Sequence, residues 1–282
     1  MKRLIINADD FGRHKLINEA VEQAVEKGIL RSATLMPGAE AFDQAVDIGR
    51  HHSELGVGIH FTLVNGFPVL PPGEIPSLVN EKGVFADNHA AFVKKWLSGS
   101  INMQEVRSEL GGQLSKMQQT GLSLTHADSH QHMHTLPGII DIVLDLVQAS
   151  GIKALRIPKT PIFTGEFGGL GQMIGRLGLG TLAILAGRKA LARGLAAPDH
   201  FAGIVAGEAV STQYLASLIR DLKPGTTEVM MHPGVINGQL VRDTGWEHDF
   251  EAELDAMLSP DILNTLHTNH IEITNFRALV QD

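Results

Sequence analysis

The 282-residue chain carries 23 Lys and Arg against 31 Asp and Glu, a formal net charge of −8. That acidity argues against a nucleic-acid partner, which would call for a basic patch, and the lack of cysteine removes disulfides and thiolate metal ligands alike. The first apolar run, residues 4–6, is followed at once by two aspartates, too short and polar for a signal peptide or a membrane span, so a cytoplasmic location is expected.

Residues 2–8 read as a short buried strand that ends at Asp9 and Asp10, with Phe11-Gly12 as a turn. Residues 17–27 then show a helical face of Ile17, Ala20, Val21, Ala24 and Val25, closed by Gly28. A second strand is expected at 33–36, a helix at 41–51 and a third strand at 56–63, carrying His60. Residues 68–76 are proline-rich and read as an ordered loop. Helices follow at 92–96 and 103–120, a strand at 122–128, a helix at 137–150 and a strand at 153–157. Residues 227–231 form a clean strand ending in His232-Pro233-Gly234, and 271–274 a last one. This alternation predicts a parallel sheet flanked by helices, open or closed into a barrel, in a single α/β domain.

Residues 125–134 read T-H-A-D-S-H-Q-H-M-H, with His126, Asp128, His130, His132 and His134 at every second position. In an extended chain these five side chains project to one face, and imidazole with carboxylate is a ligand set for Zn²⁺, Mn²⁺, Fe²⁺ or Ni²⁺. Asp9, Asp10, His60, Asp128, His130 and His232 all fall at or just past the ends of expected strands. That C-terminal rim carries the active sites of (β/α) barrels and open parallel sheets. Taken singly, the two aspartates could cap a helix, His60 could be a core histidine and His232 could merely end a strand. Together they suit metal-assisted hydrolysis. Spacing does not separate His130 from His132 or His134 as a ligand.

L-I-I-N-A-D-D-F-G, G-I-H-F, T-H-A-D-S-H-Q-H-M-H, L-R-I-P and M-H-P-G, in this order, resemble the YdjC-like family of carbohydrate deacetylases, which includes chitooligosaccharide deacetylase. The resemblance implies a distorted (β/α) TIM-like barrel, one divalent metal ion (Mg²⁺ or Zn²⁺) and removal of acetyl groups from N-acetylated sugars. Position by position it implies Asp10, His60 and His130 as metal ligands, Asp9 as general base and His232 as acid. Asp128, His132 and His134 then become pocket or supporting residues with His126. Arg156 of L-R-I-P is placed to orient a carboxylate or the substrate carbonyl.

Residues 165–197 are rich in Gly, Ala and Leu and carry Arg176, Arg188, Lys189 and Arg193 against the single acid Glu166. They read as a small-residue helix pair covering the rim, or as a basic amphipathic lid, residues 173–195, resting on anionic membrane or a lipid tail. The loop G-F-P-V-L-P-P-G-E-I-P-S-L-V and the following G-V-F are similar to the hopanoid-biosynthesis branch of the family, which implies a glycolipid substrate and peripheral contact with the inner membrane. A homodimer is compatible with the sequence. Two readings from other classes stay open here: a metal-dependent phosphoesterase or isomerase on a similar barrel, and a non-catalytic sugar-binding protein.

Overall fold

Among the described residues, seven parallel strands carry a set of polar side chains to one end of a barrel. In the computed structural model these are β1 (Lys2–Phe11), β2 (Ser32–Leu35), β3 (Gly56–Phe61), β4 (Ala127–Ser129), β5 (His200–Ala202), β6 (Gly225–Met231) and β7 (Ile271–Thr274). They run in the order β4-β3-β2-β1-β6-β5, and β7 pairs with the first half of β1. Past β4 the sheet continues through single bridges, Ala127 to Leu155 and Ala154 to Ala196. The chain from Ala196 runs on into β5, so the sheet curls into a distorted (β/α) barrel of the TIM type. The structure describes residues 1–159, 170–204 and 209–280, and of 170–177 the backbone alone.

The helices are α1 (Lys15–Lys27), α2 (Phe42–His51), α3 (His89–Leu97), α4 (Met103–Gln119), α5 (Ile139–Ser150), α6 (Leu170–Ala192), α7 (Thr212–Arg220), α8 (Asn237–Thr244), α9 (Phe250–Leu258) and α10 (Pro260–Thr268). Their starts follow local chemistry: Asn102, Ser211 and Asp249 each accept a backbone N–H in the first turn of the helix they precede. Gly151, at φ +79, ends α5 in the left-handed conformation that glycine adopts freely. Strand β7 falls where the sequence puts it. The expected strand at 122–128 is regular only over Ala127–Ser129, and that at 153–157 reduces to the bridges at Ala154 and Leu155.

Alternation along the strands divides the protein into two buried layers. Leu4, Ile6, Ala8, Val57, Ile59, Phe61, Val229 and Met231 join the apolar cluster beneath the helices. The alternate positions, Asn7, Asp9, Ser32, Thr34, His60, Asp128 and Glu228, are buried and hydrogen-bonded to one another or to Arg156. The barrel interior is therefore a polar network rather than a packing of branched apolar side chains.

Helix α6 is one continuous helix over its described length, not a pair. Ala183, Ala186 and Ala190 pack into the core, and α6 meets the turn formed by His130–Thr135. Lys189 binds Asp141 of α5 at 2.8 Å, and Arg193 binds Asp145 at 2.5 Å. Residues 160–169, including Glu166 and the start of the Gly/Ala/Leu-rich segment 165–197, lie outside the described residues, as do the side chains of 170–177, Arg176 among them. Among the described residues no helix is long and apolar enough to cross a membrane.

Below the rim, His126 stacks on Phe276 with ring centroids 3.6 Å apart. A Cβ on Gly58 would lie 2.6 Å from that imidazole and 2.8 Å from the His126 carbonyl. Gly58→Ala is therefore expected to cost about 1–3 kcal/mol by overpacking, read as a lowered midpoint in urea denaturation; an unchanged midpoint would contradict this packing.

Candidate functional site

Neighbouring residues of a regular strand face opposite sides, yet both Asp9 and Asp10 enter one site. The pairing of β1 with β2 shifts register between Ala8 and Phe11, and Asp10 takes a left-handed φ of +59. This bulge turns Asp10 over the barrel mouth while Asp9 keeps the inward face. Arg13 then donates to Asp10 Oδ2 at 2.7 Å and, through its other nitrogen, to Asn65 Oδ1.

Asp10, His60 and His130 are buried, and their candidate ligand atoms lie within 4.8 Å of one another. Asp10 Oδ1 sits 2.8 Å from His130 Nδ1 and 3.3 Å from His60 Nε2 without the alignment of a hydrogen bond. His60 Nδ1 meets Asp128 Oδ1 at 2.6 Å. The Asp128 contact at Nδ1 turns Nε2 toward Asp10, the support that a carboxylate gives a metal-binding imidazole. Against the cost of burial, Asp128 and Asp10 push His60 up to about 10. Burial likewise opposes charge on Asp10, but His130 and Arg13 hold it well below the usual carboxylate range. Two imidazoles and a carboxylate grouped this closely, with Asp10 Oδ1 and His60 Nε2 buried and without a hydrogen bond, form a donor set that fits a divalent cation.

Arg156, fully buried, ties the rest together. Its Nη1 and Nη2 bind the two oxygens of Asp9 at 2.6 Å each, Nη1 also meets Asp128 Oδ2 at 2.6 Å, and Nε binds Glu228 Oε1 at 2.7 Å. Asn7 adds a bond to Asp9 Oδ1 at 2.8 Å, and Thr34 donates to Asp128 Oδ2 at 3.1 Å. Burial pushes Glu228 up to about 7, with Arg156 pulling the other way.

The remaining histidines of the 125–134 tract separate. The expected extended run stops at Ser129. Gln131 and His132 take left-handed φ values of +51 and +59, and His130–Thr135 form a 3₁₀ turn. The every-second-residue face is thus lost beyond His130. His134 spends both nitrogens, on Ser129 Oγ at 2.7 Å and on the Arg156 carbonyl at 3.0 Å. His132 lies edge-on to Phe201 and His134, its Nδ1 without a hydrogen-bond partner. Burial pushes the His132 imidazole well below its ordinary value. His232, past β6, lies edge-on to Trp246 and His248. Its pKa is lowered by burial, with Asp9, Glu253 and Asp10 pulling the other way.

Sequence patterns alone missed Glu228, Arg13, Asn7 and Glu253. A signal existed for two of them: Asn7 and Glu228 interrupt apolar strands at inward positions, in I-I-N-A and T-E-V-M. Arg13 and Glu253 join only through the fold. Glu253 accepts the backbone N–H groups of Val210 and His232.

Fold and cluster together define a (β/α)-barrel protein with a candidate metal centre at the C-terminal rim of its strands. Within that class the chain belongs to the YdjC-like protein family, whose profile matches residues 3–268. It is 29% identical over 282 residues to the carbohydrate deacetylase of Thermoanaerobacter pseudethanolicus, covering 99% of this chain and 100% of that protein. It is 30% identical over 274 residues to the carbohydrate deacetylase of Geobacillus stearothermophilus, covering 97% and 96%. Among solved structures, a candidate cellobiose-phosphate cleavage protein from Enterococcus faecalis V583 aligns with a TM-score of 0.75. That match spans 99% of this chain and 98% of the other at 23% identity, and bears on the fold alone.

Burial pushes His134 down to about 4 and His126 down to about 3. Unfolded imidazoles titrate near ~6.5, so below that pH the unfolded chain binds the extra protons. The stability carried by these neutral imidazoles is complete above the unfolded value and is lost as pH falls. For His134 the loss approaches ~3 kcal/mol by about pH 4. His134→Gln is expected to flatten the decline in unfolding free energy between about pH 6.5 and 4, measured by urea titration at each pH. An unchanged slope would contradict the assignment.

Proposed function

We propose that the chain is a metal-dependent hydrolase that removes the acetyl group from an N-acetylated sugar by cleaving its amide C–N bond. The observation that carries this reading is the convergence of Asp10, His60 and His130 beside an aspartate held by a buried arginine. The carbohydrate deacetylases to which the chain is similar support the substrate class. Asp10, His60 and His130 would hold the ion, and two imidazoles suit Zn²⁺ better than Mg²⁺. When bound, the ion supplies Lewis acidity to a water molecule and to the amide carbonyl.

The chain's own residues do the rest. Asp9 accepts the proton of the attacking water. Its Oδ1 is shared between Arg156 and Asn7, while Oδ2 accepts one bond, from Arg156, and keeps a lone pair for that proton. The fixed guanidinium prevents Asp9 from swinging away, so the base is positioned before substrate arrives. Half-buried His232 acts as the acid: its imidazole takes up a proton from solvent and gives it to the departing nitrogen, so that the amine leaves as a neutral group. Asp128 holds the His60 ring, and Arg156 acts through Asp9 and Asp128. The pairing of Lys189 and Arg193 with α5 favours a sugar without a lipid requirement over the glycolipid reading of this segment.

Acetate release from N-acetylglucosamine-containing oligosaccharides by the Zn²⁺-loaded protein tests this. Asp9→Asn is expected to keep the metal and lose about 10²–10⁴-fold in kcat, with His232→Ala losing a comparable factor. Full activity in Asp9→Asn would overturn the assignment of the base, and release of phosphate in place of acetate would favour a phosphoesterase.

A further inference from the structure

A second cluster of one carboxylate and two imidazoles stands past β6 and shares no residue with the Asp10 centre. His232, His248 and Glu253 each offer a ligand atom, and these atoms lie within 4.8 Å of one another. His232 follows the end of β6, His248 lies just before α9, and Glu253 sits in the first turn of that helix. The proposed reaction uses only the first of the three.

The chain holds these groups in place through its own contacts. Asp249 caps α9 by accepting the Ala252 N–H at 3.0 Å. The Gly234 N–H donates to the Phe250 carbonyl at 3.1 Å, which ties the loop after β6 to the start of the helix. Glu253 is 2% exposed; one of its oxygens accepts the Val210 N–H at 2.8 Å and the other the His232 N–H. A carboxylate offers about four acceptor positions, so Glu253 keeps lone pairs for a further partner. Trp246 stacks on the His248 ring with centroids 4.2 Å apart and meets the His232 ring edge-on at 4.9 Å.

What faces Glu253 is not a finished hydrogen bond. His248 Nε2 lies 3.3 Å from Glu253 Oε1, buried and without the alignment of a hydrogen bond, on a side chain only 7% exposed. Donors that share a tetrahedral ion at ~2.0–2.2 Å stand about 3.3–3.5 Å apart. His248 Nε2 keeps that spacing from Glu253 Oε1, as His60 Nε2 does from Asp10 Oδ1. Two imidazoles with one carboxylate favour Zn²⁺, Ni²⁺ or Cu²⁺ over Mg²⁺. Both Glu253 oxygens already accept an N–H, whereas Asp10 Oδ1 accepts none, so the Asp10 centre fills first.

We propose that His232, His248 and Glu253 form a second, weaker site for a transition-metal dication, Zn²⁺ above all, and that an ion there silences His232 as the acid. An imidazole bound through one nitrogen keeps only the N–H of the other, and giving that proton up would leave an imidazolate. The binding stands on the cluster's geometry alone; the inhibition rests on the deacetylase reading above.

The test takes the full chain loaded with one equivalent of Zn²⁺ and dialyses it against rising free Zn²⁺. Bound ions are counted while acetate release is followed on an N-acetylglucosamine oligosaccharide. Wild type is expected to take up a second ion and to lose activity over the same range of zinc. His248→Phe, which keeps a ring on Trp246, should weaken the second ion at least about tenfold and leave the first in place. The loss of activity should move to higher zinc by the same factor. His248→Asn is a second variant with the same expectation. With Co²⁺ in place of Zn²⁺, the second equivalent should add its own visible absorption in wild type and not in His248→Phe. A single bound ion at every zinc concentration, or a second ion indifferent to both His248 variants, would overturn the site. A second ion held through His248 that leaves acetate release unchanged would overturn the inhibition and remove His232 from its role as acid. If no acetate is released at all, the deacetylase reading falls and ion counting still decides the site: a second ion lost in His248→Phe keeps it.

Discussion

A guanidinium buried inside the barrel is the constraint on which the rest of the site depends. Arg156 reaches Asp9, Asp128 and Glu228 at 2.6–2.7 Å, and each contact fixes a different part of the site. Through Asp9 it holds the proposed base. Through Asp128 it holds the carboxylate that turns His60. Through Glu228 it is anchored to the middle of β6. Loss of any partner would strand a charge away from water, a larger penalty than the pair's own contribution to stability.

The same network is poor in positive charge. Asp9, Asp10, Asp128 and Glu228 share the guanidiniums of Arg156 and Arg13; against the cost of burial the surplus of carboxylates pushes His60 toward its protonated form, and burial pushes Glu228 the same way. A divalent cation held between Asp10, His60 and His130 would answer that imbalance more fully than a proton does. The strain stored nearby fits a functional site: Asp10, Gln131 and His132 hold left-handed backbone that a side chain ordinarily avoids. The surrounding ladder and hydrogen bonds over-determine those positions.

Much of the fold was legible because it is set by short-range pattern. The strand β7 at Ile271–Thr274 and helices such as α1 follow from apolar periodicity, and Asp9, Asp10, His60, Asp128 and His232 indeed stand at strand ends. What the sequence concealed is long-range. The left-handed turn at Gln131 and His132 separates histidines that an extended chain would align, and no local signal marks it. Arg13 looks like an ordinary loop residue until Asp10 is brought to it. The barrel closes through single bridges at Leu155 and Ala196 that have no strand-like pattern of their own. Helices α7 to α10 are short, and each carries its apolar face, such as Leu215 and Ile219 of α7 or Phe250, Leu254 and Met257 of α9, over barely two turns.

The tract's histidines give the most direct measurement. Metal-stripped wild type, His130→Ala and His132→Ala would be titrated with Zn²⁺ while stoichiometry and affinity are read by calorimetry. One tightly bound ion per chain is expected for wild type, with binding weakened about 10²-fold or more in His130→Ala and near-normal in His132→Ala. Tight binding that survives in His130→Ala but disappears in His132→Ala would contradict the site as built.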